Sequence, residues 1–175
     1  IQDISCIGKC SLTVALPIIS ACGVETAVIP TAVLSTHTAF DGFTFRDLTD
    51  EILPIAAHWK AQGMAVDAIY TGYLGSFRQL EIVSQFFDQF KTPENLILID
   101  PAMADNGALY AGFTPEFVQE MAKLCGKADI IVPNLTEACY LLNIPYPGEE
   151  YTRADIQHIL TELGKLGCAQ VVLTG

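Results

Sequence analysis

Short apolar runs alternate along the chain with longer segments in which apolar residues recur at helical spacing. The short runs have four to six residues and are rich in leucine or β-branched residues, which is typical of buried strands. They predict strands over residues 1–6, 26–31, 68–71, 96–100, 130–133 and 170–174.

The segments between these runs have the period of an amphipathic helix, and most of them close at a glycine. They predict helices over residues 13–22, 47–62, 76–90, 115–124 and 152–166. The alternation of strand and helix predicts an α/β fold in three α/β/α layers, with a mostly parallel central sheet. A chain of 175 residues is long enough to build one such core, so we expect a single domain over residues 1–175.

Two segments are predicted to lack regular structure. Residues 37–46 are polar, rich in Thr and Phe, and contain Gly42, so we expect a mobile loop or a lid beside the site. Residues 144–151 contain Pro145, Pro147 and Gly148, which predicts a turn-rich connection.

Composition narrows the range of partners. Hydrophobic residues make up 51% of the chain and charged residues 17%, so the chain should bury a core rather than stay disordered. The net charge of −11 argues against binding to nucleic acids or anionic membranes. No apolar run reaches the roughly 18 residues of a membrane span. The six cysteines contain no CxxC pair, which favours reduced, structural thiols in a cytoplasmic protein.

Polar residues follow several of the predicted strands, where parallel sheets usually bind their ligands. Asp100 comes directly after the apolar run of residues 96–99, and Pro101 fixes the direction of the chain behind it. A carboxylate in this position can hold Mg²⁺ against nucleotide phosphates. The alternative is an aspartate that only caps a turn, and we favour the metal site.

Asn134 and Glu137 have the spacing of a helix capping box, which explains both residues without any ligand. The alternative is that Glu137 binds Mg²⁺ and Asn134 binds a phosphate near a helix N-terminus. The spacing alone leaves these two interpretations equally open.

Three further residues are weaker candidates. Asp3 could hydrogen-bond a substrate hydroxyl or ring nitrogen, or cap a local turn, and Tyr73 could stack on a flat substrate or fill the core. His37 is more typical of a solvated loop residue than of a base. The chain contains neither GxxxxGK[ST] nor GxGxxG, so a P-loop and a dinucleotide fingerprint are both excluded.

Five segments in this order resemble the pyridoxal kinase family of the ribokinase-like fold, and its bacterial pyridoxamine kinase branch in particular. They are residues 3–13, residues 30–38, residues 71–76, the DPAMAD stretch of residues 100–105 with Asn106, Gly107 and Tyr110, and the PNLTE stretch of residues 133–137. The resemblance extends over essentially the whole chain. No single segment would be specific, but five at matching spacings are.

The resemblance implies transfer of the ATP γ-phosphoryl group to the 5′-hydroxymethyl group of a vitamin B6 vitamer. It further implies Mg²⁺ as the metal ion and a homodimer. Whether a monovalent cation such as K⁺ also assists is left open by the resemblance. By matching position, the substrate-binding residues would be Asp3, Thr38 and Tyr73. The ATP-binding residues would be Asp100, Tyr110, Asn134, Glu137 and Thr174, and the metal-binding residues Asp100, Asp105 and Glu137. A hydroxymethylpyrimidine kinase of the same fold and an inactive vitamer- or nucleotide-binding module remain as alternatives.

The chain departs from the family pattern in three places. Ala104 replaces an expected glycine and could crowd a turn, and the loop at residues 38–42 is shorter than expected. The glycine-rich GxGD segment, whose Asp accepts the substrate proton in this family, is absent from these 175 residues. We therefore expect an incomplete chain without a catalytic residue of its own, which begins and ends within strand-like runs.

Overall fold

The structure is a computed structural model that describes residues 1–38, 40–148 and 150–174. The chain forms two compact units. Unit 1 contains Ile1–Ala65 and Gly72–Gln89, and unit 2 contains Val66–Thr71 and the residues from Phe90 onward. Each unit has its own sheet, and the single domain expected over residues 1–175 stays a prediction.

Unit 1 contains a three-stranded sheet in the order β1-β2-β3, in which β1 and β2 are parallel and β3 is antiparallel to β2. The elements of unit 1 are β1 (Gln2–Ser5), α1 (Leu12–Ala21), β2 (Pro30–Leu34), β3 (Phe45–Asp47), α2 (Thr49–Ala61) and α3 (Phe77–Phe90), of which only the last residue belongs to unit 2.

The position of β2 corrects the sequence prediction, which had a strand over residues 26–31. Pairing with β1 decides the register, because Pro30 lies opposite Gln2. Proline has no N–H to donate, so it is tolerated as the first residue of a strand. The preceding Ile29 contributes only its carbonyl group, which accepts the Gln2 N–H at 3.1 Å.

The loop predicted over residues 37–46 is also corrected, because its last two residues belong to β3. The hairpin between β2 and β3 closes through Ser35 and Thr44. The Ser35 N–H donates to the Thr44 carbonyl at 3.1 Å, and the Thr44 N–H donates to Ser35 Oγ at 2.9 Å. Ala39 lies outside the described residues, and the lid motion stays a prediction.

The helices of unit 1 differ in how far they bury their apolar residues. The apolar side predicted for α3 is confirmed as buried, and its members are Leu80, Val83, Phe86, Phe87 and Phe90. In contrast, α1 contains no buried residue even though it is almost entirely apolar, and it continues through Pro17. Helical spacing therefore predicted both helices correctly, but an apolar helical pattern corresponds to buried side chains only in α3.

Unit 2 contains a four-stranded parallel sheet and a small antiparallel hairpin. Its elements are β4 (Ala68–Thr71), β5 (Leu96–Ile99), β6 (Ala104–Asp105), β7 (Ala108–Leu109), α4 (Pro115–Cys125), β8 (Ile130–Ile131), α5 (Leu135–Leu142), α6 (Arg153–Gly164) and β9 (Gln170–Val171). The sheet has the order β4-β5-β8-β9, and β6 pairs with β7. The predicted α/β class with mostly parallel strands is confirmed.

Two helices of unit 2 start at complete capping boxes. In α5 the Asn134 side chain accepts the Glu137 N–H, and the Glu137 carboxylate accepts the Asn134 N–H. Thr152 and Asp155 make the same reciprocal pair at the start of α6. Each box satisfies backbone donors that a helix start leaves without an intrahelical partner. The helix α5 was not among the elements predicted from periodicity, although its cap was recognised.

Two further sequence expectations concern the whole set of described residues. None of the described helices is both long and apolar enough to cross a membrane. All six cysteines are free thiols, as expected; Cys125, Cys139 and Cys168 are buried, whereas Cys6 and Cys22 are exposed.

Candidate functional site

The first group of candidate residues lies in unit 2, where Asp100 follows the end of β5. The Asp100 N–H donates to the carbonyl group of Thr71 at 3.0 Å, which continues the pairing of β5 with β4. The strand thereby holds the Asp100 side chain at the carboxyl edge of the parallel sheet. Burial raises the pKa of this carboxyl from its ordinary 3.8 to about 6.

Glu137 is 2% exposed, and both of its carboxylate oxygens are engaged by backbone amides. Oε2 accepts the Asn134 N–H at 2.8 Å, and Oε1 accepts the Met103 N–H at 3.1 Å. Burial raises the pKa of Glu137 to about 7, the Asn134 N–H opposes this shift, and the negative charge of Asp100 adds to it. The charge of Asp100 is thus close enough to disfavour the ionisation of Glu137.

Tyr110 lies near all three predicted metal-binding acids, Asp100, Asp105 and Glu137, which we call the acidic group. Burial raises the pKa of its hydroxyl, and the charges of Glu137, Asp105 and Asp100 raise it further. All three predicted metal-binding acids therefore lie within electrostatic reach of one phenol. Its ring is 40% exposed, and its N–H donates to the Met103 carbonyl at 2.9 Å.

Asp105 differs from the other two acids because it is exposed and already has local partners. Its Oδ1 accepts the backbone N–H of Asn106 at 2.8 Å, and its Oδ2 accepts the Asn106 side-chain amide at 3.1 Å. Ala104 does not adopt a positive φ, so its backbone conformation does not require the glycine that was expected there.

The last two residues predicted on the nucleotide side, Asn134 and Thr174, are adjacent in unit 2. They form an isolated parallel bridge, and the Thr174 N–H donates to the Pro133 carbonyl at 2.9 Å. The Asn134 side chain is occupied at both ends, because its oxygen caps α5 and its Nδ2 donates to the Ala104 carbonyl at 2.8 Å.

Within the described residues, no three His, Cys, Asp or Glu side chains come together as a set of metal ligands. The carboxylates of Asp100 and Glu137 fit a Mg²⁺ ion that keeps water and phosphate oxygens as its other ligands, as Mg²⁺ does in nucleotide sites. Two partly desolvated carboxyls with raised pKa values are also the groups that a cation would stabilise in their charged form.

The raised pKa values lead to a prediction for the metal-free protein. Since both acids bind protons more tightly in the folded state, their contribution to stability is present at low pH and is lost as pH rises from about 4 to 7. As the pH rises over this window, the free energy of unfolding of the Asp100→Asn variant should therefore increase by about 1–2 kcal/mol relative to that of the unmodified chain. Urea unfolding at pH 4, 5.5, 7 and 8 measures it; a difference independent of pH would contradict it.

The second group of candidates lies in unit 1 and contains Asp3 and Tyr73. Asp3 is buried in β1, its Oδ2 accepts the Ser5 hydroxyl at 3.4 Å, and its Oδ1 has no hydrogen-bond partner among the described residues. Burial raises the pKa of the Tyr73 hydroxyl, and the charge of Asp3 raises it further. The carboxylate of Asp3 therefore lies within electrostatic reach of the Tyr73 hydroxyl.

A buried glutamine supports the loop that carries Tyr73. Gln79 Oε1 accepts the Gly75 N–H at 2.7 Å, and Gln79 Nε2 donates to Thr49 Oγ1 at 2.8 Å and to the Thr31 carbonyl at 3.3 Å. The Tyr73 ring lies against Gly75, where a β-carbon would come within 3.1 Å of Cε1. Thr38, the third substrate-binding candidate, is exposed in the loop after β2.

The structure also reveals two threonines that sequence reasoning did not single out. Thr36 Oγ1 in unit 1 and Thr71 Oγ1 in unit 2 are buried without a hydrogen-bond partner among the described residues. A buried hydroxyl without a partner is costly, so such an atom is a candidate for contacting a ligand or a water. Their position next to His37 and Gly72, within segments already recognised by resemblance, was the only available signal.

Comparison with known proteins identifies the family of the chain. The sequence pattern of the phosphomethylpyrimidine kinase family matches residues 15–175. The chain belongs to this family. A protein named as a phosphomethylpyrimidine kinase from Bacteroides thetaiotaomicron has a crystal structure that is 48% identical and superposes with a TM-score of 0.95 over 99% of the chain. A second crystal form of it, described as containing pyridoxal, has a TM-score of 0.93.

Two further relatives are named as pyridoxal kinases. The crystal structure of the Lactobacillus plantarum enzyme is 34% identical over 95% of the chain, with a TM-score of 0.83. The Pasteurella multocida enzyme is 30% identical over 148 residues, which is 80% of this chain. This likeness confirms the ribokinase-like α/β fold and the predicted resemblance to pyridoxal kinases. The chain spans about half of the Pasteurella enzyme and about 60% of the two solved structures.

Proposed function

We propose that this chain is the substrate- and nucleotide-binding part of a vitamin B6 kinase. The complete protein would transfer the γ-phosphoryl group of ATP to the 5′-hydroxymethyl group of pyridoxal, pyridoxamine or pyridoxine. The observation that carries the proposal is the close likeness to a structure described with pyridoxal, at 48% identity over 99% of the chain. The presence of the predicted acidic group in unit 2 supports it independently.

In unit 2, Asp100 and Glu137 would hold Mg²⁺ together with phosphate oxygens of ATP, and Asp105 would contribute from the edge of the site. The bound ion would neutralise charge on the phosphates during transfer. Tyr110, whose hydroxyl lies near all three acids, can donate a hydrogen bond to a phosphate oxygen. Asn134 and Thr174 would line the same nucleotide site through the backbone after β8 and β9.

In unit 1, Asp3, Thr38 and Tyr73 would bind the vitamer. The Oδ1 atom of Asp3 has an unused acceptor site, which suits a ring hydroxyl or a protonated pyridine nitrogen. Tyr73 offers an aromatic face and a hydroxyl beside that carboxylate. The hydroxyl of Thr38 can hydrogen-bond a substituent of the ring.

The phosphoryl transfer itself needs a group that accepts the proton of the substrate hydroxyl. The resemblance assigns this role to the Asp of a GxGD segment, which these 175 residues do not contain. The oxygen of the 5′-hydroxymethyl group would bond to the γ-phosphorus as the bond to the β-phosphate oxygen breaks, releasing ADP. The residues described above would position the two substrates for this step.

The main alternative is phosphorylation of a hydroxymethylpyrimidine, which the name of the matched family favours. The protein expressed from its complete reading frame should phosphorylate pyridoxal, pyridoxamine or pyridoxine at least ten-fold faster than hydroxymethylpyrimidine at equal concentrations. A coupled assay for ADP release measures all four rates. Equal or faster use of the pyrimidine would overturn the B6 assignment, and no transfer at all would favour an inactive binding module.

We also propose a homodimer, which is carried over from the resemblance, and a cytoplasmic location, which the cysteine pattern favours. Activation by K⁺ is an open question that the same resemblance raises. The net charge of −11 supports a protein without nucleic-acid or anionic-membrane partners. Sedimentation of the complete protein measures the subunit number, and replacing K⁺ by Na⁺ in the kinase assay measures the cation dependence.

A further inference from the structure

The hairpin formed by β6 and β7 carries Asp105 and leads directly into Tyr110, yet it is too short to be stable alone. Its strands pair at only two positions, Ala104 with Leu109 and Asp105 with Ala108. The turn between them is Asn106-Gly107, with φ values of 50° and 80°, which is typical of a two-residue type I′ turn. Isolated two-stranded hairpins are marginal in water, so other contacts must hold this one.

Those contacts come from the first two turns of α5. The base of the hairpin is bound by Glu137, which accepts the Met103 N–H, and by Asn134, which donates to the Ala104 carbonyl. The tip is bound by two other residues of α5, Thr136 and Tyr140, which lie four positions apart and thus on one side of the helix.

Both tip contacts converge on the backbone of Gly107. Its N–H donates to Thr136 Oγ1 at 3.0 Å, and its carbonyl accepts the Tyr140 hydroxyl at 3.3 Å. The Tyr146 ring covers the same glycine, where a β-carbon would come within 2.8 Å of Cδ1. Glycine is therefore required both by the positive φ and by the ring.

Packing alone does not fix the tip on this side. A cavity of about 240 Å³ adjoins it, lined by Gly107, Cys139, Tyr140, Ile144, Pro145 and Tyr146. The two tyrosine rings therefore have free space next to them, and the hydrogen bonds of Thr136 and Tyr140 hold the tip in addition to the contact with Tyr146. Thr136 is buried, so the Gly107 N–H would lose a well-placed acceptor if the hydroxyl were removed.

We propose that Thr136 and Tyr140 are positioning residues for the nucleotide site. By holding Gly107 through both of its backbone groups, they keep Asp105 and Tyr110 in place on either side of the hairpin tip. Both side chains would act through the hairpin rather than by contact with the reacting groups. The proposal rests on the proposed function of unit 2 as the Mg·ATP site, and it assigns that site two supporting residues outside the acidic group.

The test uses Thr136→Val, Tyr140→Phe and the double variant in the protein expressed from its complete reading frame. Each single variant removes one hydroxyl and keeps the shape, so the dissociation constant for Mg·ADP should rise about five-fold, as for loss of one hydrogen bond. The KM for pyridoxal should stay within two-fold. Thr136→Ser, which keeps the hydroxyl, should restore nucleotide binding. Because both hydrogen bonds hold the same glycine, the dissociation constant for Mg·ADP of the double variant should rise by less than the product of the two single increases.

Amide hydrogen exchange separates this proposal from the function on which it rests. The Gly107 amide should exchange at least ten-fold faster in Thr136→Val, whatever the protein phosphorylates. Faster exchange with unchanged Mg·ADP affinity, or equal loss of nucleotide and vitamer binding, would overturn the positioning role. Failure of the unmodified protein to bind Mg·ADP would instead overturn the proposed function, and the positioning role with it.

Discussion

Replacement of Asp100 by Asn is expected to lower kcat/KM for Mg·ATP by about 100-fold in the protein expressed from its complete reading frame. The carboxylate follows β5 at the edge of the parallel sheet and shares its electrostatic environment with Glu137. Asparagine keeps the shape and one oxygen but removes the charge that a divalent cation needs. The KM for the vitamer should change by less than three-fold, because the vitamer-binding candidates belong to unit 1.

Initial rates at varied Mg²⁺, with ATP and pyridoxal saturating in turn, measure this effect. Asp105→Asn is the matched control, because Asp105 is exposed and its carboxylate already accepts two hydrogen bonds from Asn106. We expect kcat/KM of this variant for Mg·ATP to fall by no more than about ten-fold. Unchanged turnover of Asp100→Asn at limiting Mg²⁺ would remove Asp100 from the site.

The parts of this fold that the sequence predicted well are those in which a local pattern and the tertiary context agree. The run at residues 96–99 is apolar at every position and flanked by turns, and it forms β5 as expected. Asp100 could therefore be placed at a strand end from sequence alone. The helix α3 was equally well predicted, because the five apolar residues of its predicted inner side repeat at helical spacing and are buried.

Prediction failed where long-range pairing decides the structure. Val28 and Ile29 have strong strand propensity, but the ladder with β1 starts only at Pro30. The hairpin of β6 and β7 is likewise invisible to periodicity, since each of its strands has only two residues. Its Asn106-Gly107 pair is a hairpin signal that could have revealed it. The contacts of Thr136 and Tyr140 with this turn depend on packing and carry no sequence signature.

The capping box at α5 shows why one pattern can leave two functions open. Its geometry is present in full, since Asn134 and Glu137 exchange both hydrogen bonds. A carboxylate oxygen has more than one acceptor site, however, so capping does not prevent Glu137 from binding a cation. The charge of Asp100 nearby and the raised pKa of Glu137 are not required by a cap. These features favour a residue that serves the helix and the site together.

Two variants of Glu137 separate those roles. Glu137→Ala leaves the amides of Met103 and Asn134 without their acceptor, so the free energy of unfolding should fall by about 2–4 kcal/mol. Glu137→Gln keeps one acceptor for these amides and removes a buried charge. Its free energy of unfolding should therefore fall by less than about 1.5 kcal/mol at pH 8. Both variants should nevertheless raise the KM for Mg·ATP at least ten-fold, because neither carries a carboxylate. Urea unfolding and initial rates measure the two effects, and a Glu137→Gln variant with unchanged KM for Mg·ATP would reduce Glu137 to a helix cap.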